Sequence, residues 1–213
     1  LDYIRDTGKP IILSSGMSSF EELKQSYEYL AEKVQDISIL HCVSIYPCPP
    51  ENLNLATIPF LRRHFPGVPI GFSDHSLGIE GSLMAVQVGA EIIEKHLTLD
   101  RNAWGPDHRV SLLPDEMARL TYRIRNDQLM WPTARALGSK TKFIREDEER
   151  FRQIFHKGLY AARDLGAGEL FMPEDFYAMR PKFDEAQPSE VYPQILGKTA
   201  FKSVDKYGII TPV

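Results

Sequence analysis

The sequence predicts an α/β fold built on parallel strands, with a small loop-rich domain behind it. Three observations carry this prediction. Short apolar runs alternate four times with stretches of helical period between residues 10 and 125. The runs are too apolar to leave one face to water, as parallel strands covered by helices are. Beyond residue 155 the runs shorten, and Gly158, Gly166, Gly168 and Gly197 punctuate them along with several prolines.

The first strand is expected over residues 10–14 and the first helix after it, with a Ser18-x-x-Glu21 capping box and Phe20, Leu23, Tyr27, Leu30 and Val34 on one face. The second strand is expected over 37–43. After a Pro-rich loop, Ile58, Leu61 and Phe65 fall at helical spacing, with Pro59 tolerated in a first turn. A third strand runs to His75, a helix carries Ile79, Leu83 and Val86, and a fourth strand runs to His96. The last helix has Asp115 and Glu116 in its first turn and Met117, Leu120 and Ile124 on one face. Four βα units form either an open sheet or half of an eight-unit barrel. The expected division is a partial barrel over 1–125, a linker over 126–154 and a small domain over 155–213. In the linker, Glu146–Arg150 and Glu148–Arg152 are expected as solvated i,i+4 pairs.

Of the 213 residues, 43% are apolar and 25% charged, enough for a packed core. A net charge of −4 without a basic block argues against nucleic acid as a partner. No apolar stretch approaches the roughly 18 to 20 residues of a membrane span. No signal-peptide pattern is present, so a cytoplasmic protein is expected. Cys42 and Cys48 are read as reduced thiols, one in a buried strand and one in a turn, not as a disulfide. The chain opens just ahead of its first strand without an initiator Met, and an N-terminal portion is expected to precede it.

His75 and His96 each close an apolar run in successive βα units. Equivalent positions put both rings at the same end of a parallel sheet, where barrel chemistry takes place. A lone histidine there would be read as a satisfied strand-tip residue. Two in matching positions, with Asp74 and Glu94 beside them, point to a divalent metal. Strand alternation puts Glu94 on the face of His96 and turns Asp74 away from that of His75. Asp74 is thus either an outer support of an imidazole or a structural residue.

Five motifs resemble the sialic acid synthase family: Gly8-Lys-Pro-Ile-Ile-Leu-Ser-Ser-Gly-Met17, Leu40-His-Cys-Val-Ser-Ile-Tyr-Pro47, Gly71-Phe-Ser-Asp-His75, Ile93-Glu-Lys-His-Leu-Thr-Leu-Asp100 and Gly105-Pro-Asp-His108. The stretch from Gly158 through Arg180-Pro181 is similar to the antifreeze-like (SAF) domain that ends these synthases. The resemblance implies the C-terminal half of a (β/α)8 TIM barrel, strands five to eight, followed by that small domain. It implies a metal-assisted condensation of phosphoenolpyruvate with an N-acylmannosamine-type sugar, giving a nine-carbon 2-keto sugar acid and releasing phosphate.

Carried over residue by residue, the resemblance makes His75 and His96 the protein ligands of Mn2+ or Mg2+, with zinc or cobalt also compatible with two imidazoles. Glu94 would contact sugar hydroxyls, and Ser14 and Ser73 phosphoenolpyruvate. Ser44, Tyr46 and Asp107 would touch the sugar, although relatives commonly carry Asn or Thr where Ser44 stands. Arg180 would reach into the partner of a homodimer with an exchanged C-terminal domain; here Lys182 stands where relatives usually have Gly. His41 and His108 receive no role, and His64 and His156 are read as surface residues. Without the four preceding strands, the chain alone is expected to be inactive. Two other readings stay open: a phosphoenolpyruvate condensation with another aldose, and a non-catalytic assembly module.

Overall fold

The computed structural model describes residues 1–210, apart from the side chain of Gln153, and divides into two compact units, 1–148 and 149–213. Residues 211–213, the tail of the expected small domain, lie outside the described residues.

In the first unit a short helix α1 (Asp2–Asp6) precedes β1 (Ile11–Ser14), α2 (Phe20–Ala31), β2 (Ile37–Cys42), α3 (Thr57–His64), β3 (Ile70–Asp74), α4 (Glu80–Gln87), β4 (Ile93–Lys95) and α5 (Pro114–Arg125). The four strands form one parallel sheet in the order β1-β2-β3-β4, so each βα unit lies beside the next, as in half of a (β/α)8 barrel.

The inner strands β2 and β3 are buried throughout. Their outward side chains meet the helices in a core of Ile39, Leu55, Ile58, Leu61, Ile70, Phe72 and Ala85. The outer strands need a correction. β1 alternates half-buried and exposed residues and leaves Ile12 63% exposed, because an outer strand lacks a neighbour on one side. Gly71 lets β3 approach its neighbours: a Cβ there would lie 2.5 Å from both the Ile92 carbonyl oxygen and a Leu40 methyl.

The capping box of α2 sits one residue later than expected. Ser19, not Ser18, accepts from the Glu22 N–H at 3.2 Å, and the Glu22 carboxylate accepts from the Ser19 N–H at 2.8 Å. Two boxes overlap in Ser18-Ser19-Phe20-Glu21-Glu22, and where the chain turns selects one. α5 covers its expected apolar positions, with Asp115 and Glu116 in its first turn, whereas Phe65 and Ile79 sit just outside α3 and α4 as C-cap and N-cap.

The expected linker is corrected over 126–148, which packs onto the first unit. The short helix α6 (Ala134–Leu137) buries Ala136, and the Ala136 and Leu137 carbonyls accept from the N–H groups of Leu55 and Ala56, each at 2.9 Å. Asn54 Oδ1 accepts from the Ser139 N–H, and Thr57 Oγ1 donates to the Thr141 carbonyl. Next comes α7 (Glu146–Phe155), where the boundary between the units falls.

The second unit pairs β5 (Gly158–Ala161) antiparallel with β6 (Phe176–Met179) and adds α8 (Tyr192–Ile195). Isolated bridges such as Leu165–Val204 and Leu170–Thr199 complete it. Its core is small: Leu159, Leu165, Phe171, Ile195, Ala200 and Ile210. Arg163 locks the loops, donating to the buried Asp175 at 2.7 Å and to Glu169 at 2.6 Å.

Candidate functional site

At the C-terminal ends of the four parallel strands lies an open cavity of about 350 Å³. Ser14, Ser44, Tyr46, Ser73, His75, Glu94 and His96 line it, together with Gly16, Met17 and Cys42. Seven of the nine residues expected to form a site are thus gathered from four separate βα units. Both histidines stand one residue beyond the strand, where the chain leaves the sheet and a ring can tip over its end.

The two imidazoles have centroids 5.3 Å apart, at 79° to one another. His75 Nδ1 lies 2.9 Å from the Val43 carbonyl oxygen, so it carries the proton in the neutral ring and leaves a lone pair on Nε2. Outer support of this kind is usual for a metal-binding histidine. A ring nitrogen about 2.1 Å from an ion puts two such rings about 4.5 to 5.3 Å apart for angles of roughly 90 to 110°. The observed spacing meets that requirement, and the residues fit a divalent ion. Among the described residues, no group of three or more His, Cys, Asp or Glu side chains is arranged to hold a metal. An ion between these rings would therefore take its other ligands from water or substrate.

Around the imidazoles, Ser73 Oγ donates a short hydrogen bond to the Glu94 carboxylate across a paired rung of β3 and β4. Tyr46 lies against His75 with centroids 4.0 Å apart and reaches His96 at 5.8 Å. Burial, then the negative groups of Cys42, Asp107 and Glu94, raises the Tyr46 phenol far above its ordinary value, so it stays a donor. Burial would lower the titration of His75, but Cys42, the Val43 carbonyl and Glu94 raise it overall. Asp107 sits in the loop after β4, exposed, with Oδ2 4.0 Å from His96 Nδ1. Arg180 belongs to the second unit, where its guanidinium lies 5.3 Å from the centre of the Phe155 ring.

Three contributors escape the sequence. Cys42 is buried, as its strand position implies, but its sulfur faces the cavity, 3.7 Å from Ser44 Oγ and 3.9 Å from His75 Nδ1. Burial raises this thiol, but His75, Ser14 and Ser44 outweigh that and its titration falls below the ordinary value. Gly16 leaves room for Ser44, whose Oγ would lie 2.3 Å from an added Cβ. Glu148, expected in a solvated pair with Arg152, is instead 1% exposed. Its carboxylate accepts from the N–H groups of Ser44 at 2.9 Å, Met17 at 3.4 Å and Arg145 at 3.3 Å. It thereby ties the loops after β1 and β2 to the start of α7. The Glu146-Asp-Glu148 spacing carries no sign of this, because a helical charge run reads as a wet face.

His41, on the opposite face of β2 from Cys42, is a core residue. Its Nε2–H donates to the Leu53 carbonyl at 2.8 Å and its ring stacks on Phe72. Burial, then the charge of Lys142, pushes its titration down to about 3. Both cysteines are free.

The chain is similar to known proteins in sequence and in fold. The chain is 37% identical over 206 residues to an N,N'-diacetyllegionaminic acid synthase of Campylobacter jejuni, covering 95% of this chain and 59% of that protein. It is 33% identical over 199 residues to the human N-acetylneuraminate-9-phosphate synthase, covering 93% and 54%. The crystal structure of the spore coat polysaccharide biosynthesis protein SpsE of Bacillus subtilis superposes with a TM-score of 0.87 at 30% identity, over 98% of this chain and 62% of that one. The chain thus spans little more than half the length of the curated relatives it matches. A sequence profile of the NeuB family matches residues 1–138, the stretch that supplies every residue lining the cavity, and the chain belongs to that family.

Proposed function

We propose that the cavity serves a sialic acid synthase-type condensation, joining phosphoenolpyruvate to an N-acylmannosamine-type sugar with release of phosphate and formation of a nine-carbon 2-keto sugar acid. One observation carries the reading. Hydroxyl, carboxylate and imidazole groups from the ends of all four strands converge on one cavity, with the two imidazoles at a spacing that suits a shared ion.

A divalent ion between His75 and His96, Mn2+ or Mg2+ in this reading, would supply Lewis-acid polarisation of the sugar aldehyde. The chain's own groups do the rest of the local work. Ser14 donates its hydroxyl to phosphoenolpyruvate, and Ser73, whose single O–H faces Glu94 before substrate binds, turns to donate there too; both are neutral donors that let an anion bind and its product leave. Glu94, oriented by Ser73, accepts from sugar hydroxyls. Tyr46, held protonated, donates to the sugar and shields the imidazoles from solvent on one side. Ser44 and Asp107 complete the sugar's surroundings. Arg180, from a second unit of the antifreeze-like type, binds the N-acyl group across a homodimer, its rigid fork of donors suited to that contact. No helix among the described residues is long and apolar enough to cross a membrane; the reading places the reaction in the cytoplasm.

The test is manganese titration of the purified chain by electron paramagnetic resonance. One bound ion is expected, lost in His75→Ala and in His96→Ala. A chain that binds no manganese, or binds it equally well without either histidine, would overturn the metal part. Phosphoenolpyruvate binding, measured by calorimetry, should weaken about tenfold in Ser73→Ala, the loss of one hydrogen bond to a charged group. Unchanged binding removes Ser73 from the substrate site.

A further inference from the structure

Behind the cavity, the same strand ends carry a second polar cluster that faces the core. Asp74 and Lys95 are paired residues in the β3–β4 register. Lys95 Nζ lies 3.1 Å from Asp74 Oδ2, with the two side chains 1% and 0% exposed. Asp74 also accepts from the Ser76 N–H at 2.8 Å, from Ser76 Oγ at 2.6 Å and from Ser82 Oγ at 2.6 Å. Lys95 donates in turn to the Ser76 carbonyl. Gly81 admits the first turn of α4 onto the cluster, since a Cβ there would lie 2.5 Å from Ser76 Oγ and 3.1 Å from Asp74 Oδ2. Two strand ends and a helix start are thereby tied to one carboxylate.

Burying an ion pair rarely gains stability over an apolar pair of similar volume, so its retention calls for another reason. Its position supplies one. Ser73 and His75 flank Asp74 in sequence, and Glu94 and His96 flank Lys95. Alternation sends those four flanking side chains into the cavity and the charged pair the other way. Apolar side chains in the same place would tolerate sliding of one strand end past the other. A carboxylate with four directed partners does not, and ligand geometry has to hold to about 0.5 Å.

We infer that Asp74 and Lys95 are positioning residues: their buried pair locks the ends of β3 and β4 together and so sets the separation of His75 and His96. The inference rests on the cavity being the functional site, as proposed above, but not on a metal being there. It assigns Asp74, which the sequence leaves between two roles, to neither in its simple form. Asp74 touches neither imidazole, and the His75 ring is oriented by the Val43 carbonyl instead.

The test uses the full chain carrying Asp74→Asn and Lys95→Met together, which removes both charges at nearly constant volume, keeps an acceptor for Ser76 and turns an amide donor towards Ser82 Oγ, which can accept it. Ring-nitrogen NMR of histidine-labelled protein should show the His75 and His96 signals shifted or broadened, with His41 and His64 unmoved. Manganese should bind about 10- to 100-fold more weakly, the usual cost of losing an outer support. Unmoved His75 and His96 signals in a folded double variant would overturn the inference and leave the pair a stability element. Should the double variant not fold, Ser82→Ala removes a single Asp74 contact and must still shift both signals; if it does not, the inference fails. A parent chain that binds no manganese would count against the metal reading alone, because the histidine spectra decide this one independently.

Discussion

On the cavity side of β3 and β4, the His96 side chain is 24% exposed and Glu94 is exposed. On the other side, one peptide away, Asp74 and Lys95 are sealed from water and fully partnered. The chemistry of the two sides is similar, a carboxylate and a nitrogen base on each, but the surroundings are opposite. Groups that must exchange partners with a ligand are left with unused hydrogen-bonding capacity. The Asp74 carboxylate, which holds the scaffold, accepts from four donors, because an unsatisfied polar atom in the core costs about 1 to 3 kcal/mol. Function and rigidity are thus separated by the alternation of a strand, not by distance.

The largest effect that would sharpen this contrast is at His41, a packed-side residue of β2. In the unfolded chain its imidazole takes a proton near pH 6.5; in the folded protein only near pH 3. Its contribution to stability is therefore intact above pH 6.5 and lost as the pH falls towards 3. A tenfold change in proton affinity corresponds to about 1.4 kcal/mol, so the loss across that range is on the order of 5 kcal/mol. Urea unfolding across the same range should show it, and His41→Leu should flatten the curve; equal slopes in both proteins would contradict the assignment.

Next comes Lys95→Met alone, which strands the Asp74 carboxylate in the core. It should cost about 3 to 5 kcal/mol by chemical denaturation. His96→Ala, one residue away on the cavity side, should stay within about 1 kcal/mol of the parent. Comparable losses at the two positions would break the comparison.

A smaller effect is expected at Glu148. Glu148→Ala removes the acceptor for all three backbone donors, costing about 1 to 3 kcal/mol and loosening the loop that carries Ser44. Amide hydrogen exchange at Ser44 and Met17 would report it, and undiminished protection at both would argue against the tie. Smallest of all is Tyr46→Phe, which should leave stability unchanged within about 0.5 kcal/mol, as at an exposed position. Under the proposed function its effect should appear only as weaker sugar binding, measured by calorimetry.

Much of the first unit is legible because its signals are local. Apolar runs locate all four strands to within two residues, and the period of α5 survives unchanged, while those of α3 and α4 each run one residue past the helix. Matching positions for His75 and His96 follow from the same arithmetic, since parallel units repeat their geometry. What fails also fails for physical reasons. Two overlapping capping boxes cannot be ranked without the direction of the incoming chain. The stretch 126–148 reads as a linker because its contacts are backbone carbonyls of Ala136 and Leu137 meeting Leu55 and Ala56, which no side-chain pattern announces.

By itself, then, the sequence determined the βα repeat, the parallel sheet and which end of it would gather histidines, serines and Glu94, because hydrophobic period and strand alternation act over a few residues. Only the tertiary structure decided that Glu148 turns inward, that Cys42 and Gly16 shape the cavity wall, and that Asp74 finds Lys95 instead of an imidazole. The two carboxylates depend on which donors satisfy them once buried, and those donors lie anywhere from two to more than a hundred residues away along the chain; the cavity wall depends on side chains that meet only in space.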